Sequence, residues 1–437
     1  MNGRARVGGC VHDLNSSLSV YYPNSTEYTL AIEHWLLSST EQPQCVVEPA
    51  SARDVGVIVS APAADTRRTA VLLDDGLAHL ARGFNYTAFD AAAGTVAVGA
   101  GTKWISWYSW KSNAHGLAID NLLVVEIVLP DGTPTTANAT HNADLFFALK
   151  GGFNNFGVVT EFIFRAVPQD LVWGGHISYP VEQLAAVNAA VVAFEQNNND
   201  TRAAIVGGIT ALPGPNGTFA APFAGVQLFY DGPDLPAGMF ADFLAIPTVS
   251  NNWAGPITFL TWSGTDGGVS DLRGVFHAFS TLPHTPEFLQ DVVDEVAAFA
   301  AELAPKSAAY LSVAIEPFMT SALNSANATS GSAYPPVRSP VLLPSNIFFG
   351  YTDAAEDDAF HAAIARIQAN IVAKARARGL IYPEAEGGSI YPNYALAGAG
   401  GAHVVDFYGA AHLAEMQRVR AKIDPHGVMR LAGGWKI

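Results

Sequence analysis

The 437-residue chain is short of charge: only 14% of its residues are Asp, Glu, Lys or Arg, and the acidic ones outnumber the basic 39 to 23. The resulting net charge of -16 repels phosphate backbones and anionic lipid headgroups, so nucleic acids and membrane surfaces are excluded as partners. No run of 18 or more apolar residues occurs, so no segment reads as a membrane-crossing helix. There are two cysteines, Cys10 and Cys45, with no pair at zinc-finger spacing and no His-Glu-x-x-His, so no metal site is expected. No Gly-x-x-x-x-Gly-Lys-Ser/Thr run and no Gly-x-Ser-x-Gly elbow is present, which removes a P-loop and leaves a serine hydrolase without an anchor. Gly99-Ala100-Gly101 lacks the third glycine of a nicotinamide-type fingerprint. His115, His403 and His426 read as loop or capping residues rather than ligands. The stretch Met1 to Gly9 has a basic start but no apolar core, so it is not a signal peptide as it stands.

What the chain has is apolar content, at 49%, and enough length to bury more than one core. Before about residue 172, short β-rich runs such as Gly94 to Gly99 and Leu122 to Leu129 alternate with turns, including the hairpin signal Pro130-Asp131-Gly132. After it, longer helices alternate with strands. Pro286 opens a helix to about Leu303, and Ala355 to Gly379 reads as a long amphipathic helix ending in a basic turn and a glycine. Ala204 to Leu212, Val226 to Tyr230, Ala308 to Glu316 and Ile347 to Tyr351 read as strands, and Ala411 to Ile423 as a helix stopped by Pro425. The pattern predicts an α+β class with an antiparallel sheet covered by helices on one face. Asn324 to Pro336 is the best candidate for a mobile loop.

The most informative stretch runs Leu149-Lys150-Gly151-Gly152-Phe153-Asn154-Asn155-Phe156-Gly157-Val158-Val159-Thr160. It ends a helix in glycines, which also act as ordinary caps, and re-enters a β-branched strand. Together with Tyr391-Pro392-Asn393-Tyr394, Ile423-Asp424-Pro425, Gly433-Gly434-Trp435-Lys436, Gly116 to Asn121, and the opening Tyr21 to Tyr28 and Gln44 to Pro49, it resembles FAD-linked oxidases of the vanillyl-alcohol oxidase type, berberine-bridge-enzyme-like branch. The matches run in the family's order from about residue 10 to the end.

The resemblance implies a two-domain fold: a discontinuous FAD-binding domain, 1–172 and 386–437, and a substrate domain, 173–385. It implies FAD as cofactor, a small-molecule substrate and oxygen as partners, Tyr391 and Tyr394 at the reacting centre, and Gly99, Gly101, Gly152, Asn155, Gly157, Val159 and Asn393 against the cofactor. It also implies a Cys10–Cys45 bridge; the residues alone leave two buried thiols as the alternative.

Two family features are missing. The stretch Val57 to Val71 carries neither the glycines nor the His of the usual pyrophosphate loop, so covalent attachment through that His is excluded there. The second glycine-rich stretch is reduced to Gly99-Ala100-Gly101-Thr102 before Lys103-Trp104. Charge-assisted hydrogen bonds to a dianionic pyrophosphate are worth about 1.5–3 kcal/mol each, so losing three or four costs roughly 5–10 kcal/mol. Arg67 and Arg68 could restore some charge, although as loop residues they also read as solvated. The gaps and the missing leader are read together as signs of a truncated or mis-spliced gene product.

The implied chemistry is oxidation of a hydroxyl-bearing small molecule, a sugar or secondary metabolite, by hydride transfer to flavin. A tyrosine can take the hydroxyl proton only if its pKa falls or if it relays the proton to another base. Tyr391 is the first candidate, Tyr394 and Tyr108 are weaker ones, and Glu316 could polarise such a tyrosine. The competing reading is a flavin-free remnant keeping the shell as a binding protein. Sequons at Asn15, Asn24, Asn85, Asn138, Asn199, Asn216 and Asn327, with the cysteine pair, favour secretion.

Overall fold

The computed structural model describes residues 4–7, 10–13, 18–63, 81–102, 110–214, 218–264, 271–328, 330–382, 390–398 and 401–437, with only the backbone at 4–13, 61–63, 81 and 82. Tyr108, Arg67, Arg68, Asn15, Asn216 and the Cys10 side chain therefore lie outside the described residues.

The first unit is built on a five-stranded antiparallel sheet in the order Thr87–Asp90, Thr95–Gly99, Val158–Arg165, Leu122–Val128, Pro134–Asn138. Leu122–Val128 is an interior strand because its β-branched side chains can be covered: Val125, Ile127 and Val128 are buried. Its hairpin closes where expected, with Gly132 at φ 86° and Leu129 N–H donating to Thr133 at 2.9 Å. The C-terminal helix Val404–Ile423, wider than the sequence pattern suggests and broken at Gly409, returns to this sheet. Its Phe407, Tyr408, Met416 and Val419 share one core with Val125, Leu145, Phe146 and Phe164.

The second unit carries a larger antiparallel sheet, ordered Ser250–Asn251, Val172–Tyr179, Phe223–Tyr230, Ala203–Ala211, Ala308–Ile315, Leu343–Tyr351, Arg273–Thr281, with Ala254–Ile257 also paired to Val172–Tyr179. Period-two alternation splits its faces. Leu311, Val313 and Ile315, with Ile347 and Phe349 beside them, pack against the helices Leu184–Asn197, Pro286–Leu303 and Asp357–Ala377. Tyr310, Ser312, Ala314 and Asn346 point the other way and stay half-buried. The helix at Pro286 starts as predicted, with Thr285 accepting from Phe288 N–H at 3.2 Å. The two sheets are open and do not close into a barrel.

One expectation is corrected. The described residues of Asn324 to Pro336 are bound down rather than free: Ser332 and Ala333 are buried, Tyr334 N–H donates to Lys150 O at 3.2 Å, and Ser325 Oγ donates to His115 O at 3.2 Å. Arg338, just beyond, makes a two-point ion pair with buried Asp120 at 3.0 and 2.8 Å, which fixes the loop's far end. In the same loop the Asn327 amide nitrogen, the atom a glycan would need, donates to His115 O and Asn121 Oδ1, both at 3.1 Å.

Candidate functional site

A short 3-10 turn, Pro392–Tyr394, follows Tyr391 and places two phenols together: the Tyr391 and Tyr394 rings meet edge to face, with centroids 4.9 Å apart. Asn393 between them is exposed, and its amide donates to the Tyr391 hydroxyl oxygen at 2.7 Å. Tyr394 stands beside Glu316, which follows the strand Ala308–Ile315. Asn346, opposite Ala314 on the neighbouring strand, donates a hydrogen bond to Glu316 at 3.1 Å. The pleat requires this, since Ala314 and Glu316 lie two residues apart on one face.

Glu316, Tyr334, Tyr391 and Tyr394 are all half-buried. Lost solvation pushes the Glu316 carboxyl up to about 7, with the Asn346 hydrogen bond and the neighbouring Tyr394 hydroxyl opposing it. Burial also raises Tyr391, with the Asn393 hydrogen bond holding it down. Tyr334 and Tyr394 are driven higher still by burial and then by neighbouring groups, Tyr391 and Glu316 among them. None of these three phenols is a ready base; the carboxyl beside them is poised near neutrality.

Tyr334 was not singled out from sequence, because it lies in the stretch read as mobile. Its ring is 5.5 Å from that of Tyr391. On its other side it covers Gly151, whose φ of 116° excludes other residues and where a Cβ would lie 2.6 Å from the Tyr334 Cβ. The glycine loop is thereby joined to the tyrosines. Lys150, next to Gly151, is buried, donates to Ser330 Oγ at 2.8 Å and is pushed down to about 8 by burial.

The other residues of the glycine loop are engaged by protein. Asn155 donates to Gly152 O and Trp435 O, each at 2.9 Å. A Cβ on Gly152 would meet Ala148 O at 2.2 Å, and one on Gly157, at φ 145°, would meet Val128 O at 2.3 Å. Val159 is half-buried between two cores. The C-terminal signature clamps the same loop: Asn154 donates to Gly433 O at 3.2 Å, and Trp435 stacks edge-on against Phe407 at 4.6 Å. Asp424 caps the Val428 and Met429 amides at 2.7 and 2.9 Å.

At the phosphate end, Gly99, Ala100, Gly101 and Thr102 already donate their N–H groups to Tyr86, Thr160, Phe84 and Gly99 carbonyls. A Cβ on Gly99 would lie 1.9 Å from Phe84 O. These backbone amides are spent on the fold and are not free donors for a pyrophosphate. At the other end, the half-buried Tyr334, Tyr391 and Tyr394 present aromatic rings with Asn393 exposed beside them, the kind of surface on which a flat ring stacks.

No family model matches the sequence. An uncharacterized FAD-linked oxidoreductase of Arthroderma benhamiae is 28% identical over 287 residues, covering 55% of this chain. The chain spans about half, 56%, of that protein's length. The FAD-dependent monooxygenase sdcF of Emericella nidulans is 26% identical over 492 aligned residues and 98% of each chain. That alignment is longer than 437 residues, so the relative carries tens of residues with no counterpart here. Among solved structures, 6-hydroxy-D-nicotine oxidase from Arthrobacter nicotinovorans superposes with a TM-score of 0.72 at 16% identity, covering 97% of this chain and 98% of its own. The wild-type BBE-like 1 protein of Physcomitrella patens gives 0.66 at 18%, covering 94% and 96%. The fold is that of the two-domain FAD-linked oxidases, as the motifs implied.

Proposed function

We propose that this chain, built on the FAD-linked oxidase fold, oxidises a hydroxyl-bearing small molecule, a sugar or secondary metabolite, with FAD as hydride acceptor and oxygen as final oxidant. The observation that carries the reading is the grouping of Glu316, bonded by Asn346 and near neutral pKa, with the half-buried Tyr394 and Tyr391, whose rings meet at 4.9 Å. The relatives named above, FAD-linked oxidoreductases, support an enzyme over a flavin-free shell.

Bound FAD would supply the hydride acceptor, held at its ring end by Tyr391 and the backbone of the Gly151–Gly157 loop, with Asn393 fixing Tyr391 and Gly152, Asn155, Gly157 and Val159 shaping the loop. Val57 to Val71 holds no His, so a covalent bond through the usual His is not expected at that place. The chain's own residues manage the proton. As the substrate O–H bond breaks, its proton passes to the Tyr394 oxygen while the Tyr394 proton moves to the Glu316 carboxylate, leaving a neutral carboxylic acid. A phenol raised by burial cannot hold the charge itself, and a carboxyl near 7 can take the proton at working pH. Asn393 holds Tyr391 as the second wall of the site.

The domain division, 1–172 with 386–437 against 173–385, belongs to the same reading, supported by the core shared between the C-terminal helix and the first sheet. So does secretion with a Cys10–Cys45 bridge, supported by Cys45 not being a free thiol. Among the described residues no helix is long and apolar enough to cross a membrane. The test is reconstitution of the purified chain with FAD, then addition of sugars and aryl alcohols under argon. Bleaching of the flavin by at least one alcohol, abolished in Tyr394→Phe, supports the proposal; bound FAD that no alcohol reduces contradicts it.

A further inference from the structure

The open face of the second sheet carries an aromatic run that the proton relay does not use. Phe276 stacks on Phe348 at 4.5 Å and lies 6.4 Å from Tyr394, its ring within 19° of parallel. Trp35 lies 6.0 Å from Phe276 and 5.8 Å from Phe348, its ring plane 31° and 28° from parallel to theirs. Trp35 comes from the first unit, and its segment is fixed to the sheet's edge strand. Leu37 N–H donates to Leu272 O at 2.9 Å, and Ser38 Oγ both donates to Gly274 O at 2.8 Å and accepts from Gly274 N–H at 3.1 Å. Yet Trp35 remains 52% exposed. Holding a tryptophan in place with half its surface in water leaves apolar area uncovered, which a ligand ring can cover.

We propose that Phe276 is the floor and Trp35 the outer wall of a subsite that binds the second ring of a fused or linked hydroxylated aromatic substrate, with its reacting hydroxyl at Tyr394 and Glu316. This deepens the oxidase reading and rests on it for the identity of the reacting end. The chemistry favours an aromatic ring over a further sugar unit. Leu36 and Leu272 lie beside the run at Gly274 and Gly350, the Ser38 hydroxyl is engaged with Gly274, and Tyr310 adds a further ring 5.6 Å from Phe348. A sugar ring would offer this surface only its C–H face, whereas an aromatic ring covers it over its whole area and adds ring stacking. Trp35 is thus a specificity-determining residue contributed by one unit to a pocket on the other.

Binding separates this proposal from the oxidase reading. Dissociation constants are measured by calorimetry, with no turnover, for 6-(hydroxymethyl)-2-naphthol, 4-hydroxybenzyl alcohol and cellobiose. Wild type, Trp35→Ala, Trp35→Phe and, as a surface control, Leu37→Ala are compared. The two-ring probe should bind about tenfold more weakly to Trp35→Ala and within about twofold of wild type to Trp35→Phe and Leu37→Ala. The one-ring probe should be indifferent to all three changes. Equal affinity of the two-ring probe for wild type and Trp35→Ala overturns the subsite, as does cellobiose binding that depends on Trp35 while the naphthol fails to bind. A protein that binds the naphthol through Trp35 yet holds no flavin keeps the subsite and loses the oxidase reading.

Discussion

The Asn393 amide donates to the Tyr391 hydroxyl oxygen at 2.7 Å, so the exposed member of the Tyr-Pro-Asn-Tyr turn fixes the phenol that precedes it. Removing that donor frees the ring and removes the one contact that holds its pKa down. Asn393→Ala is expected to lower kcat about tenfold with FAD affinity little changed, and Tyr391→Phe to lower it further. Steady-state kinetics beside a flavin titration checks both. Loss of flavin in Asn393→Ala would mean that the amide holds the cofactor and not the tyrosine.

Glu316 sets the pH behaviour. Its folded carboxyl is raised from 4.5 to about 7 by burial, so the folded protein holds that proton more tightly than the unfolded chain. The stabilising contribution is fully present below about 4.5 and is lost as pH rises through about 7, because the folded state must then carry a poorly solvated charge. Activity runs the other way, since the relay needs the ionised carboxylate. kcat/KM is expected to rise with an apparent pKa near 7, and Glu316→Gln to lose about 10²–10³-fold together with that inflection. Melting curves between pH 4 and 8 should show Glu316→Gln flatter than wild type. An inflection that persists in the variant assigns it to another group.

Asn155 donates to two backbone carbonyls, Gly152 O and Trp435 O, and so joins the glycine loop to the last residues of the chain. Asn155→Ala is expected to cost about 2 kcal/mol in urea denaturation, whether or not FAD is present. A variant of unchanged stability that no longer binds FAD would give Asn155 back to the cofactor.

Arg338 and Asp120 tie the loop of Tyr334 to the first unit. Arg338→Ala leaves a buried carboxylate unpaired and is expected to cost about 3–5 kcal/mol, whereas Arg338→Met with Asp120→Asn should cost much less. Denaturant midpoints of the three proteins decide this. Equal losses in the single and double variants would show that the site tolerates the charge.

Much of this was legible in the sequence, and the exceptions have physical causes. The helix from Pro286 and the strands at Ala308 and Leu122 could be read because propensity, period and caps agree there. The strand Arg273–Thr281 could not: Gly274, His277 and Ser280 dilute its pattern, and it holds its place by pairing along its full length with Leu343–Tyr351. Tyr334 escaped notice because serines, glycine and prolines around it signal a loop, while the hydrogen bonds that order that loop come from residues about 180 or more positions away in sequence, such as Lys150 and Asp120. Gly152 and Gly157 were found, but the composition of a glycine loop does not tell a close approach to ligand from a close approach to protein, and Ala148 O and Val128 O are protein.

The central claim is that this chain holds FAD at the tyrosine site even though the Gly99–Thr102 amides are already spent. The most direct measurement is the visible absorbance spectrum of the 437-residue protein after purification from a secretory host and gel filtration. Flavin bands that travel with the protein, and shift in Tyr391→Phe, are the predicted result. A folded, colourless protein that takes up no added FAD contradicts the account.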